Sequence, residues 1–75
     1  NPASNSAVLS IDLKNNSTVN ISVMNMVGQV VKTTSASSQV GRNNITFDLS
    51  GLSKGVYMTT VKVDGATSTK KLIIE

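Results

Sequence analysis

Val56-Tyr57-Met58-Thr59-Thr60-Val61-Lys62-Val63-Asp64-Gly65-Ala66-Thr67-Ser68-Thr69-Lys70-Lys71-Leu72-Ile73-Ile74 reads as one β-hairpin. Tyr57, Thr59, Val61 and Val63 alternate with Met58, Thr60, Lys62 and Asp64, the period of two that sends successive side chains to opposite faces of a strand. Asp64-Gly65 is the strongest turn signal in the chain, because a two-residue type I′ turn needs positive φ at both central positions. That turn sets Val63 opposite Ala66, Val61 opposite Ser68, Thr59 opposite Lys70 and Tyr57 opposite Leu72. Opposed residues share a side of the sheet, so Leu72 joins Tyr57 in the core. Val56, Met58 and Ile73 then fall on the other face, beside Lys71 and Lys62.

The same alternation extends outward from this hairpin. Ala7, Leu9, Ile11 and Leu13 alternate with Val8, Ser10, Asp12 and Lys14; Val19, Ile21 and Val23 with Asn20, Ser22 and Met24; Ile45, Phe47 and Leu49 with Thr46, Asp48 and Ser50. The expected core is Leu9, Ile11, Leu13, Val19, Ile21, Val23, Ile45, Phe47, Leu49, Leu52, Tyr57, Val61 and Val63. Turn formers punctuate the runs. Asn15-Asn16-Ser17 separates the first two, Gly41-Arg42-Asn43-Asn44 precedes the Ile45 run, and Asn25-Met26-Val27-Gly28 suits a turn with an accepting Asn first and Gly last. Between them Val30-Val31 starts a strand, and Thr33-Thr34-Ser35-Ala36-Ser37-Ser38 reads either as strand edge or as flexible loop. The pattern predicts an all-β fold, an immunoglobulin-like antiparallel β-sandwich of about seven short strands. Leu52-Ser53-Lys54-Gly55-Val56-Tyr57 adds a Leu, a Gly turn and a Tyr at a strand start, which resembles the tyrosine corner of such sandwiches. Residues 1–6, rich in turn formers, are expected to be a linker remnant and residues 7–75 the domain, a piece of a longer protein.

Composition narrows the function. The 75-residue chain has neither Cys nor His, so disulfides, thiolate metal sites and the commonest general base are all missing. Its carboxylates, Asp12, Asp48, Asp64 and Glu75, are spread over different strands and turns. They offer no local acid–base pair and no Asp-rich calcium loop. No G-x-S-x-G elbow or phosphate-binding Gly loop is present, so no enzyme, metal or cofactor is expected. The net charge of +3 comes from scattered Lys and Arg, with Phe47 and Tyr57 the only aromatics. Nucleic-acid binding, which wants a clustered basic face with stacking rings, is not expected. The longest apolar runs are far below the ~20 residues of a membrane-spanning helix.

Three segments together resemble the type A C-terminal sorting domain of type IX secretion substrates in Bacteroidota. Asn1-Pro2-Ala3 is similar to the tail of that family's opening motif. Val23-Met24-Asn25-Met26-Val27-Gly28-Gln29-Val30-Val31 is similar to its strand–turn–strand signature. Ile45 through Tyr57, with Lys71-Leu72-Ile73-Ile74 at the end, resembles its most diagnostic half. The resemblance implies a domain that directs a larger, covalently linked upstream cargo through the type IX machinery. The route runs from the periplasm to the outer-membrane surface, and a sortase-like cysteine peptidase then removes the domain. It implies recognition through Gly55, Tyr57 and the tail Lys71, Leu72, Ile73, Ile74 and Glu75. The hairpin register adds Val56 and Met58, which with Ile73 form a candidate apolar docking patch, and Asn25, Gly28, Asp64 and Gly65 are the turn signature. Glu75 departs from the basic residue that often ends the family's tail. Weak self-association is a further expectation, and the other reading of such a sandwich is a generic adhesion or spacer module of a surface protein.

Overall fold

The computed structural model describes residues 5–75 and, by backbone alone, Pro2–Ala3. Asn1 and Ser4, part of the expected linker and opening motif, lie outside the described residues. The strands are β1 (Pro2–Ala3), β2 (Ser6–Leu13), β3 (Ser17–Met24), β4 (Val30–Ser38), β5 (Gly41–Asp48), β6 (Gly55–Val63) and β7 (Ala66–Ile74). Six of them run for eight or nine residues. One sheet has the order β1-β7-β6-β3-β4, and β2 with β5 forms the other. All pairings are antiparallel except the short parallel one of β1 with β7, Pro2 opposite Ile73 and Ala3 opposite Ile74.

Alternation explains why two sheets form. The β6–β7 hairpin closes at Asp64 (φ +49°) and Gly65 (φ +80°), the left-handed pair that a type I′ turn requires. Val63 faces Ala66, and Tyr57 faces Leu72, as the turn chemistry predicts. Inward residues Val19, Ile21 and Val23 of β3 pair with Val63, Val61 and Thr59 of β6. In the second sheet Ala7 faces Phe47 and Leu9 faces Ile45. The apolar sides of both sheets meet in one core of Ala7, Leu13, Val19, Ile21, Val23, Ile45, Phe47, Leu49, Tyr57, Val61, Leu72 and Ile74. Ser10, Asp12, Thr46 and Asp48, which alternate with the expected core residues, are all exposed, as the register requires.

Four residues expected in the core differ. Leu9, Ile11, Leu52 and Val63 are packed against it but only half-buried. For Leu9 and Ile11 the reason is architectural: a two-stranded sheet cannot cover the inner face of a five-stranded one, and β2 lies at the uncovered side. The ambiguous stretch 33–38 is strand. β4 pairs with β3 along its length, with a bulge at Val23/Met24. Small inward residues Thr34, Ala36 and Ser38 let this edge strand lie close to the core without a strong apolar signature. Lys32, opposite Val23 on the inward side, reaches Asp48 at 3.6 Å. An inward charge and a bulge are both devices that protect an edge from pairing with another chain.

The crossovers between sheets are pinned by side chains. Asn16, between β2 and β3, accepts from the Val40 backbone N–H at 2.9 Å, which ties two crossovers at one end. There too the Ser17 hydroxyl donates to Asp64 at 2.7 Å. At the other end Leu49 is fully buried, and its N–H donates to the Asn5 carbonyl at 2.8 Å.

Ile21 is 1% exposed and Val8 54%. Ile21→Ala is therefore expected to lower unfolding free energy by about 3 kcal/mol, and Val8→Ala to change it by less than about 0.5 kcal/mol. Urea unfolding followed by circular dichroism checks this, and equal effects would contradict the sandwich register.

Candidate recognition face

The nine residues singled out for recognition lie on one hairpin but divide between its two faces. Gly55 pairs with Ile74, Val56 with Ile73, Tyr57 with Leu72 and Met58 with Lys71. Tyr57, Leu72 and Ile74 are buried in the core. Val56, Met58, Lys71 and Ile73 point to the other side, and exposed Glu75 follows the end of β7. Asn25 and Gly28 sit at the same end of the sheet, because Met24 pairs with Met58. Asp64 and Gly65 form the turn at the far end of the hairpin, six residues or about 20 Å along a strand from Met58. The structure therefore separates the two turns and brings only the first to this face.

Tyr57 links the inner residues to the strand entry. Its hydroxyl donates to the Ser53 carbonyl at 2.7 Å, the back-bond of a tyrosine corner. Gly55 has φ +154°, a region essentially restricted to glycine. A Cβ there would stand 3.9 Å from Tyr57 Cε1, an ordinary contact. Backbone conformation, not crowding, is what requires Gly at this position.

The outer side is richer in apolar groups than the hairpin alone suggests. Reading across strands, Lys71, Met58, Met24 and Val30 form one cross-strand row, with Val56 and Ile73 beside it. Opposed side chains of this kind approach to about 5 Å between Cβ atoms. The turn after Met24 extends the patch. Met26 and Val27 are 67% and 81% exposed, and Val30 is 55% exposed. Turn tips favour Gly, Pro, Asn, Asp and Ser, so two large apolar residues there are not explained by turn chemistry. Asn25 makes the turn rigid without them. Its N–H donates to the Gln29 carbonyl at 2.9 Å, and its Oδ1 accepts from Val27 N and Gln29 N at 3.2 and 2.9 Å. Gly28 N donates to the Asn25 carbonyl at 3.1 Å.

Met24, Met26, Val27 and Val30 were not singled out from sequence as part of this surface. The Met24–Met58 pairing joins strands distant in the chain, so no local turn reveals it. Met and Val at the tip of a turn were the available signal.

The rest of the outer side is polar. Asn20, Ser22, Thr60, Lys62, Thr67 and Thr69 occupy it beyond the patch, with the Thr60 and Thr69 hydroxyls 3.4 Å apart. None of its paired positions carries a carboxylate. The aspartates are engaged elsewhere. Arg42 donates to both Asp12 oxygens at 2.6 and 3.1 Å, which holds that carboxyl below the ordinary carboxylate value. Asp48 is lowered first by the Ser50 backbone N–H and hydroxyl, then by Lys32. Among the described residues no group of three or more potential metal ligands is brought together.

In this small antiparallel sandwich β6 and β7 bury one face and leave an apolar patch with Lys71 on the other. A sequence model of the family described as secretion system C-terminal sorting domain matches residues 1–75, the whole chain, and the protein belongs to that family. The family is a type IX secretion sorting signal and not a catalytic one. Membership implies interaction with the secretion system as a cargo signal and export to the cell surface by the outer-membrane route. No curated protein and no solved structure matches the chain.

Tyr57→Phe removes one hydrogen bond and is expected to cost about 1 kcal/mol, whereas Tyr57→Ala empties a buried site and costs about 3–5 kcal/mol. A marginally stable small domain does not tolerate the second. Export of a fused reporter should follow stability, near normal for Tyr57→Phe and lost for Tyr57→Ala. A folded Tyr57→Ala domain that failed in export would show that the ring itself is read.

Proposed function

We propose that the domain is recognised through the outer face of its end strands, and that the cargo upstream is then freed by a sortase-like cysteine peptidase. Val56, Met58, Ile73 and Lys71 make the centre of the surface, and Met24, Val30 and the Met26–Val27 tip extend it. Gly55, Tyr57, Leu72 and Ile74 act indirectly, by holding the strands that present it. Glu75, exposed beyond the end of β7, lies at the margin. In this reading cleavage falls upstream of the domain, and the domain is released at the surface after the cargo has crossed.

The observation that carries this reading is the clustering of apolar side chains on the family's own signature strands. A patch of several large apolar groups, exposed on a small domain and bordered by polar residues, is characteristic of a partner site. Lys71 within it and no carboxylate on its paired positions favour a partner surface that is apolar and carries an acidic group.

The test is transfer of the signal. A reporter preceded by a signal peptide and followed by residues 1–75 should reach the surface of a type IX-competent cell and there lack the mass of the domain. In a strain without the translocon it should remain in the periplasm at full mass. Display independent of the machinery would overturn the sorting function, and display with the domain still attached would overturn the peptidase step.

A further inference from the structure

The two sheets are unequal, and the mismatch leaves a cleft on the side away from the recognition face. Ala7, Leu9, Ile11 and Phe47 wall it from one sheet, and Thr59, Val61, Ser68 and Lys70 from the other, with a volume of about 470 Å³. Ser68 and Lys70 are on the inward side of β7, opposite Val61 and Thr59, yet both are exposed. Leu9 and Ile11, inward on β2, are only half-buried. Strands within a sheet stand about 4.8 Å apart, so one more strand beside β2 would lie over these four residues. Among the described residues β2 pairs with β5 on one side only, and half of its backbone N–H and C=O groups point away from that partner. Unlike β4, it has no bulge, no inward charge and no proline to block pairing; such an edge is a template for strand addition.

Charge selects the occupant. Lys70 lines the cleft from the inward side of β7 and no carboxylate does. Among the described residues the ion pairs are Lys32–Asp48 and Arg42–Asp12, so Lys70 is unmatched. A second copy of the domain would bring its own β2, whose single carboxylate, Asp12, is held by Arg42, and a like net charge of +3. We propose that the free edge of β2 accepts an extended peptide of another protein as a third strand, with apolar side chains over Leu9 and Ile11 and a carboxylate meeting Lys70. This goes beyond recognition at the outer face, which lies on the opposite side of the larger sheet.

The test uses fluorescein-labelled nine-residue peptides that alternate Thr and Val around one central Glu, or one central Lys, titrated by anisotropy against the domain. The Glu peptide should bind about tenfold or more tighter than the Lys peptide, and Lys70→Glu should reverse the preference. Lys70→Ala should weaken binding of the Glu peptide without favouring the Lys one. N-methylation on one set of alternate residues should abolish binding, and on the other set should leave it, since only one edge of an added strand bonds to β2. Absent binding, equal binding of the Glu and Lys peptides, or equal effects of the two N-methylated sets would overturn the proposal. So would sedimentation showing a dimer that the Glu peptide cannot disrupt, because a second copy would then occupy the edge.

Discussion

A two-residue turn at Asp64-Gly65 governs the larger part of this molecule. Both residues have positive φ, which suits the right-handed twist of a hairpin, and a turn centred there sets Val63 opposite Ala66 and Tyr57 opposite Leu72. Because side chains alternate with a period of two and β6 is also held by β3, a slip of one residue would move Leu72 and Ile74 outside and bring Lys71 and Ile73 in. A lysine in the core would follow. The burial of Tyr57 and Leu72 thus reinforces the turn, and the turn fixes which residues are left outside for a partner.

Around that hairpin the domain assigns separate work to separate surfaces. The inward side closes a core in which Val19, Ile21, Val23 and Leu49 are almost wholly removed from water. The outward side of the same strands is a field of Thr, Ser and Asn that ends in an apolar cluster at the Asn25–Gly28 turn. Edge β4 is guarded by Lys32 and a bulge, and β7 is partly covered by β1. Edge β2 is left open above Ser68 and Lys70. A module with a guarded edge at β4 and an unguarded one at β2 has its associations directed by shape and charge.

How much of this could be read in advance follows the distance along the chain over which each feature is decided. The Tyr57–Leu72 pairing was legible because a two-residue turn determines it. The core faces of β3 and β5 were legible because Val19, Ile21, Val23, Ile45 and Phe47 alternate cleanly. β4 was ambiguous because Thr34, Ala36 and Ser38 are small or polar, and its strand state depends on β3 as partner. Full burial of Leu9 and Ile11 was expected from alternation and did not occur, since alternation says which face a residue is on and not whether another strand covers it. On the outer apolar face Val56, Met58 and Ile73 were legible from the hairpin. Met24 and Val30 were not, because they join the patch through the pairing of β3 with β6 and β4.

The central claim is that one face of the hairpin stabilises the domain while the other is read by the export machinery. The most direct measurement places a charge at the centre of the outer face, in Met58→Asp or Ile73→Asp, and follows both circular dichroism and surface display of a fused reporter. Both side chains are only half-buried, on the side away from the core. The account predicts a native β spectrum with strongly reduced display. Normal display by both folded variants would contradict it and move recognition to another surface.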